Sequence, residues 1–63
     1  MGWRNRALDG IKTISKNIDD SLFEATKPER KEGNPNPQII VLHLLEAQEE
    51  IASLLSDIIE ETF

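Results

Sequence analysis

The sequence predicts an all-α protein, an antiparallel helical hairpin that dimerises into a four-helix bundle. In the C-terminal third, apolar residues recur alternately four and three positions apart, which keeps them on one face of a helix. A first stretch with the same rhythm precedes it, and all three prolines of the chain lie after that stretch. With 63 residues and no cysteine, the chain has little core and no disulfide. We therefore expect it to gain stability by associating with a second copy.

The first helix is predicted over residues 3–25. Its apolar residues follow a coiled-coil rhythm in which Ser21 is the one polar member. Leu22 and Phe23 widen this stripe near its end. Gly10 lies inside the pattern, where either a close helix crossing or simple tolerance of a glycine would explain it. The row predicted to face the second helix is Ala7, Ile11, Ile14, Ile18, Ser21 and Ala25.

Residues 26–36 are predicted to form the connecting loop, with some disorder between Pro28 and Asn34. Pro28 disfavours a helical conformation of the residue before it and so ends the first helix. Asn36 and Pro37 have the residue types preferred at a helix N-cap and at the first helical position. The second helix is therefore expected to begin at Pro37.

The second helix is predicted over residues 37–61 and carries two apolar rows. The first row, expected to pack against the first helix, is Ile40, Leu44, Ala47, Ile51, Leu54 and Ile58. The second row, expected to pack across the subunit interface, is Val41, Leu45, Ala52, Leu55 and Ile59. An antiparallel hairpin brings Arg4 and Arg6 towards Glu60 and Glu61, which offsets an unfavourable charge at the end of each helix.

Exposed apolar residues define the candidate protein interface. Ile39 and Leu42 lie off both rows and make the start of the second helix apolar almost all round. Such a ring favours a partner, with packing under the 26–36 loop as the alternative. The predicted interface residues are Leu22, Phe23, Ile39, Val41, Leu42, Leu45, Ala52, Leu55 and Ile59.

Charge and hydropathy limit the classes of partner. The net charge is -5, with 12 acidic and 7 basic residues. Every Lys and Arg precedes Gly33, so the second helix is a poor binder of phosphates. The N-terminus has no apolar signal segment, and no apolar run approaches the length of a membrane span. A soluble, cytoplasmic protein without membrane contact is expected.

The sequence offers little for catalysis or metal binding. The single histidine, His43, precedes Glu46 by three residues, but the first helix places no carboxylate in its inward row to complete a metal site. The serines have no second histidine and no glycine-rich loop to form an oxyanion hole. We expect no enzyme activity, no cofactor and no metal.

The predicted function is that of a non-catalytic protein–protein interaction module: an adaptor, an assembly protein or a small regulatory protein. It would form a homodimer and present its apolar helix face to a protein partner. One alternative is a small phage or bacterial inhibitor that binds a basic site through the acidic face of the second helix, formed by Glu46, Glu49, Glu50, Asp57 and Glu60. The other is a helical dimer that binds nucleic acid through Arg4, Arg6, Lys12 and Lys16, although nucleic acid is the less favoured partner because Asp9, Asp19, Asp20 and Glu24 offset these charges.

Overall fold

Two helices account for most of the chain in a computed structural model, which describes residues 2–28 and 34–63. Helix α1 spans Gly2–Ala25 and helix α2 spans Pro37–Thr62. They pack against each other, and the described residues form no strand. The predicted all-α hairpin is thereby confirmed. Part of the predicted loop, residues 29–33, and with it most of the predicted disorder, lies outside the described residues.

Side chains and prolines define the ends of the helices at the connection. The amide of Thr26 donates to the carbonyl oxygen of Leu22 as the last helical bond of α1, and Pro28 follows shortly after. At the start of α2, the side chain of Asn36 accepts a hydrogen bond of 2.9 Å from the amide of Gln38. The predicted N-cap is therefore confirmed, with Pro37 in the first turn, where its missing N–H costs nothing.

The helices run antiparallel with a constant register. Gly2 lies beside Glu61, Gly10 beside Leu54 and Asp20 beside His43. In each pair the two residue numbers add up to 63 or 64. This rule states which residues of α1 and α2 lie at the same height along the hairpin.

The interface between the helices is built from small and polar residues as well as apolar ones. On α2, Ala47 and Leu54 of the predicted first row are buried. On α1 the buried residues are Gly10, Ser21 and Glu24. Small residues at the crossing allow the backbones to approach, and the hydroxyl of Ser21 is satisfied by the carbonyl oxygen of Asn17 at 2.9 Å.

The predicted inward row of α1 is wrong in part. Ile11 and Ile18 were expected to face α2, but they are 54% and 47% exposed. A Cβ atom built on Gly10 would lie 2.9 Å from both Cδ atoms of Leu54, so Gly10 occupies the crossing itself. Since Ile11 is the next residue, it is rotated by about 100° away from α2.

Neither α1 nor α2 combines the length and the hydropathy that crossing a bilayer requires.

Candidate interaction surface

One long edge of the hairpin is held by ion pairs centred on Arg6. Its Nη1 atom donates to Glu50 Oε1 at 2.7 Å, and its Nε atom donates to Asp57 Oδ2 at 2.8 Å. A weaker bond of 3.3 Å links Nη2 to the hydroxyl of Ser53. The hydrogen bonds that the guanidinium donates to Glu50 and then to Asp57 raise its pKa. The sequence placed Arg6 near Glu60 and Glu61, whereas the structure pairs it with carboxylates up to three turns earlier in α2.

Glu24 fastens the far end of the hairpin. This side chain is 5% exposed and lies at the last turn of α1. Its Oε1 atom accepts a 2.9 Å hydrogen bond from Lys27 Nζ, and Oε2 accepts a 3.0 Å bond from the amide of Asn36. The carboxylate therefore ties the end of α1 to the residue that caps α2. Lys27 also lies over the ring of Phe23, at 5.6 Å from its centroid.

The bonds to Glu24 lower its pKa. The largest cause is the hydrogen bond from Lys27, followed by the bond from the Asn36 amide, and burial opposes both. Because the pKa is lower in the folded state, the ionised group stabilises the fold above its unfolded pKa of about 4.3. That stabilisation is lost as the pH falls through the folded value.

Replacing Glu24 tests this fastening. We expect Glu24→Gln to lower the melting temperature at neutral pH, because the amide cannot form an ion pair with Lys27. Lowering the pH from about 6 to about 3 should then destabilise the variant less than the wild type. Thermal denaturation followed by circular dichroism measures both effects, with Glu46→Gln on the exposed surface as the control. Equal acid sensitivity of Glu24→Gln and the wild type would contradict the interpretation.

His43 adds a further polar contact on the same edge. Its Nδ1 atom lies 4.0 Å from Asp20 Oδ2, is buried, and has no hydrogen-bond partner within the described part of the chain. Together with Arg6 and Glu24, it makes this edge of the hairpin polar along its whole length.

The helical period places the apolar residues on the opposite side. Arg6 and Glu50 each come four residues before a contact residue, Gly10 or Leu54, and are rotated by about 40° to one side. Ile11 and Leu55 each follow the same contact residues and are rotated by about 100° to the other side. Because the helices are antiparallel, the 40° rotations of Arg6 and Glu50 point to one broad side of the hairpin. The 100° rotations of Ile11 and Leu55 both point to the other broad side. The polar edge and the large aliphatic side chains therefore lie on opposite sides.

Large aliphatic side chains dominate that side, here called the apolar face. Helix α1 contributes Leu8, Ile11, Ile18 and Leu22, and helix α2 contributes Val41, Leu44, Leu45, Ile51, Leu55 and Ile59. These ten residues are between 41% and 60% exposed. Large aliphatic side chains of this number on one side of a small protein are typical of an interaction surface.

The total surface area supports this interpretation. The chain has a mass of 7.1 kDa and an accessible surface of 5120 Å². A compact monomer of that mass exposes about 4100 Å². The excess of about 1000 Å² reflects the elongated shape of the hairpin, 51 × 15 × 10 Å, and it is similar in size to the roughly 800 Å² that each partner buries in a standard protein interface.

Of the nine predicted interface residues, Leu22 and most of those on α2 lie on this side. Val41, Leu45, Leu55 and Ile59 belong to the apolar face, and the exposed Ala52 lies at its margin. Leu44, Ile51, Ile11 and Ile18 were expected in the hairpin interior and are exposed on this side instead. Leu8, Ile11 and Ile18 are missing from the predicted interface, although their spacing with Leu22 could have revealed a second row on α1.

The remaining predicted residues lie elsewhere. Leu42 is 59% exposed and lies beyond the margin of the apolar face, where with Val41 it lines an apolar hollow at the start of the helix. Ile39 is 36% exposed on the side that carries the polar edge. Phe23 is exposed beside Lys27, away from the apolar face.

Some of the charged residues on which the two alternative functions depend are already paired with each other within the hairpin. Arg6, one of the four cations proposed to bind nucleic acid, is bonded to two carboxylates. The same bonds engage Glu50 and Asp57 of the acidic face, while Glu46, Glu49 and Glu60 are exposed. Neither set is a continuous patch of free charge.

Residues 2–28 and 34–63 contain no group of three or more His, Asp or Glu side chains arranged to hold a metal ion. Comparison of the chain with protein-family models, with curated proteins and with solved structures finds no match. The functional interpretation therefore depends on the surface of the hairpin itself.

Proposed function

We propose that the chain is a non-catalytic protein–protein interaction module, an adaptor, assembly or small regulatory protein, whose apolar face pairs with a second copy to form a four-helix bundle. The observation that carries the proposal is the apolar face, which spans both helices on one side of the hairpin. Helices of bundle proteins bury such stripes against neighbouring helices. The bundle then acts by presenting its outer helix surfaces to other proteins.

The composition of the hairpin interior supports the second copy. Within the described residues only Ala47 and Leu54 are buried apolar side chains. Two such residues cannot offset the conformational entropy of ordering two long helices. The ten residues of the apolar face supply the missing burial once they are covered, at roughly 25 cal/mol per Å² of apolar surface.

Sedimentation equilibrium tests the proposal. The expected species at micromolar concentration has about twice the monomer mass of 7.1 kDa. Its helicity and melting temperature should fall on dilution, because folding and association are linked. A stable, helical monomer at that concentration would refute the dimer and remove the main support for the proposed function.

A further inference from the structure

The apolar face can pair with a second copy in two symmetric ways, and the charges at its margins distinguish them. With the two-fold axis along the bundle, each α1 lies over the α2 of the second copy. With the axis across the bundle, α1 lies over α1 and α2 over α2. Neighbouring helices are antiparallel in both arrangements, so packing of helix dipoles does not choose between them.

Near the middle of the hairpin, the outer margins of the two helices carry opposite charges, whereas the exposed Asp19 lies at the same margin of α1 one heptad after Lys12. Lys12 and Lys16 are exposed on α1, beyond the margin of the apolar face. Glu49 is exposed at the equivalent margin of α2. Residues at such flanking positions determine partner choice and orientation in helical bundles.

The register of the hairpin then fixes which charges meet. When the two-fold axis runs along the bundle, it leaves the height of every residue along the bundle unchanged. A residue of α1 then faces the residue of the second copy's α2 for which the two numbers add up to about 63, the same rule that holds within one hairpin. Glu49 of the second copy lies at the height between Lys12 and Lys16. With the axis across the bundle and the hairpins fully overlapped, Glu49 lies opposite Glu49 or Glu50, and Lys12 lies opposite Lys16.

We infer that the two copies pair with the two-fold axis along the bundle, so that each α1 packs against the α2 of the second copy and Lys12 and Lys16 flank Glu49. This inference rests on the proposed self-association. At the height of Lys12, Lys16 and Glu49, each interface margin then joins opposite charges, whereas the other arrangement joins like charges there.

A polar layer supports the full overlap of the two hairpins. Within the apolar face, Ser15 interrupts the aliphatic residues of α1 and Gln48 interrupts those of α2. Both side chains are exposed. Their numbers add up to 63, so they lie at the same height by the register of the hairpin. In the inferred arrangement each Ser15 hydroxyl lies beside a Gln48 amide of the second copy, and the two can exchange a hydrogen bond.

A double-mutant cycle across the interface tests the arrangement. Lys12→Glu and Glu49→Lys each replace an attractive pair by a repulsive one, twice per dimer, and should weaken dimerisation at low ionic strength. The combined variant restores opposite charges and should recover most of the affinity. Because the two residues lie on opposite outer edges of one hairpin, the coupling reports on contact between copies.

We expect the dimer dissociation constant of the combined variant to be about tenfold lower than the two single effects would give if they were independent. This difference should shrink at high salt. Lys12→Glu combined with Glu46→Lys is the matched control, since Glu46 lies on the other side of α2, and its effects should add. Sedimentation equilibrium supplies the constants. Dimers whose Lys12 and Glu49 variants are strictly additive would overturn the arrangement and leave the proposed function intact, whereas monomers throughout would refute both.

Discussion

Leu55→Glu should dissociate the dimer and unfold the hairpin together. Leu55 lies in the middle of the apolar face and is 55% exposed in the single hairpin. If a second copy covers it, the substitution removes an aliphatic contact and buries an unpaired carboxylate, once in each protomer. The combined cost of about 4 kcal/mol or more raises the dimer dissociation constant roughly a thousandfold. Sedimentation equilibrium and circular dichroism on the same samples measure the two consequences.

Leu42→Glu is the matched control for this prediction. Leu42 lies on the same helix and is 59% exposed, which is as open as Leu55 in the single hairpin. By helical spacing it lies beyond the margin of the apolar face, seven residues before Glu49, where the proposed four-helix bundle leaves a side chain open to water. We expect its stability to stay within about 0.5 kcal/mol of the wild type. Equal tolerance of glutamate at both positions would mean that nothing covers the apolar face.

Gly10→Leu should separate the two helices at their closest crossing. A Cβ atom at Gly10 would lie 2.9 Å from both Cδ atoms of Leu54 and 2.9 Å from Nη1 of Arg6. A leucine side chain extends further into the same space, so either the helices move apart or Leu54 is displaced. Overpacking of this kind costs about 2 kcal/mol. Urea denaturation at a fixed protein concentration measures the loss.

Gly10→Ala separates this steric effect from helix propensity. Alanine favours the helix by about 1 kcal/mol over glycine, while its Cβ atom displaces only the ends of two flexible side chains. The two effects oppose each other, so we expect a small net change. A Gly10→Leu variant at least as stable as Gly10→Ala would show that the helices do not approach closely at this point.

The outcome at Gly10 illustrates what sequence patterns leave open. On α1, the predicted inward row and the row that contacts α2 lie within about a third of a turn of each other, and the spacing is helical in both. The sequence analysis placed the row with Ile11 and Ile18 inside the hairpin. The structure packs Gly10 and Glu24 against α2 together with Ser21, the one polar member of the predicted row, because small residues and satisfied polar groups permit a close approach that branched side chains would prevent.

The polar contacts of the hairpin were equally hard to predict. Arg6 is 44 and 51 positions from the two carboxylates that it binds, and charge alone favoured Glu60 and Glu61 as its partners. Which acidic residue it reaches depends on the rotation and height of α2 relative to α1. Those quantities are set by packing at Gly10 and Leu54.

The sequence by itself determined the two helices, the cap at Asn36 and the presence of more apolar surface than one hairpin can bury. These follow from local properties: helical spacing, capping side chains and composition. Only the tertiary structure decided which side of each helix faces inward. That choice depends on the closest approach of two backbones, and it gathers Leu8, Ile11 and Ile18 with Leu44, Ile51 and Leu55 into a single exposed surface.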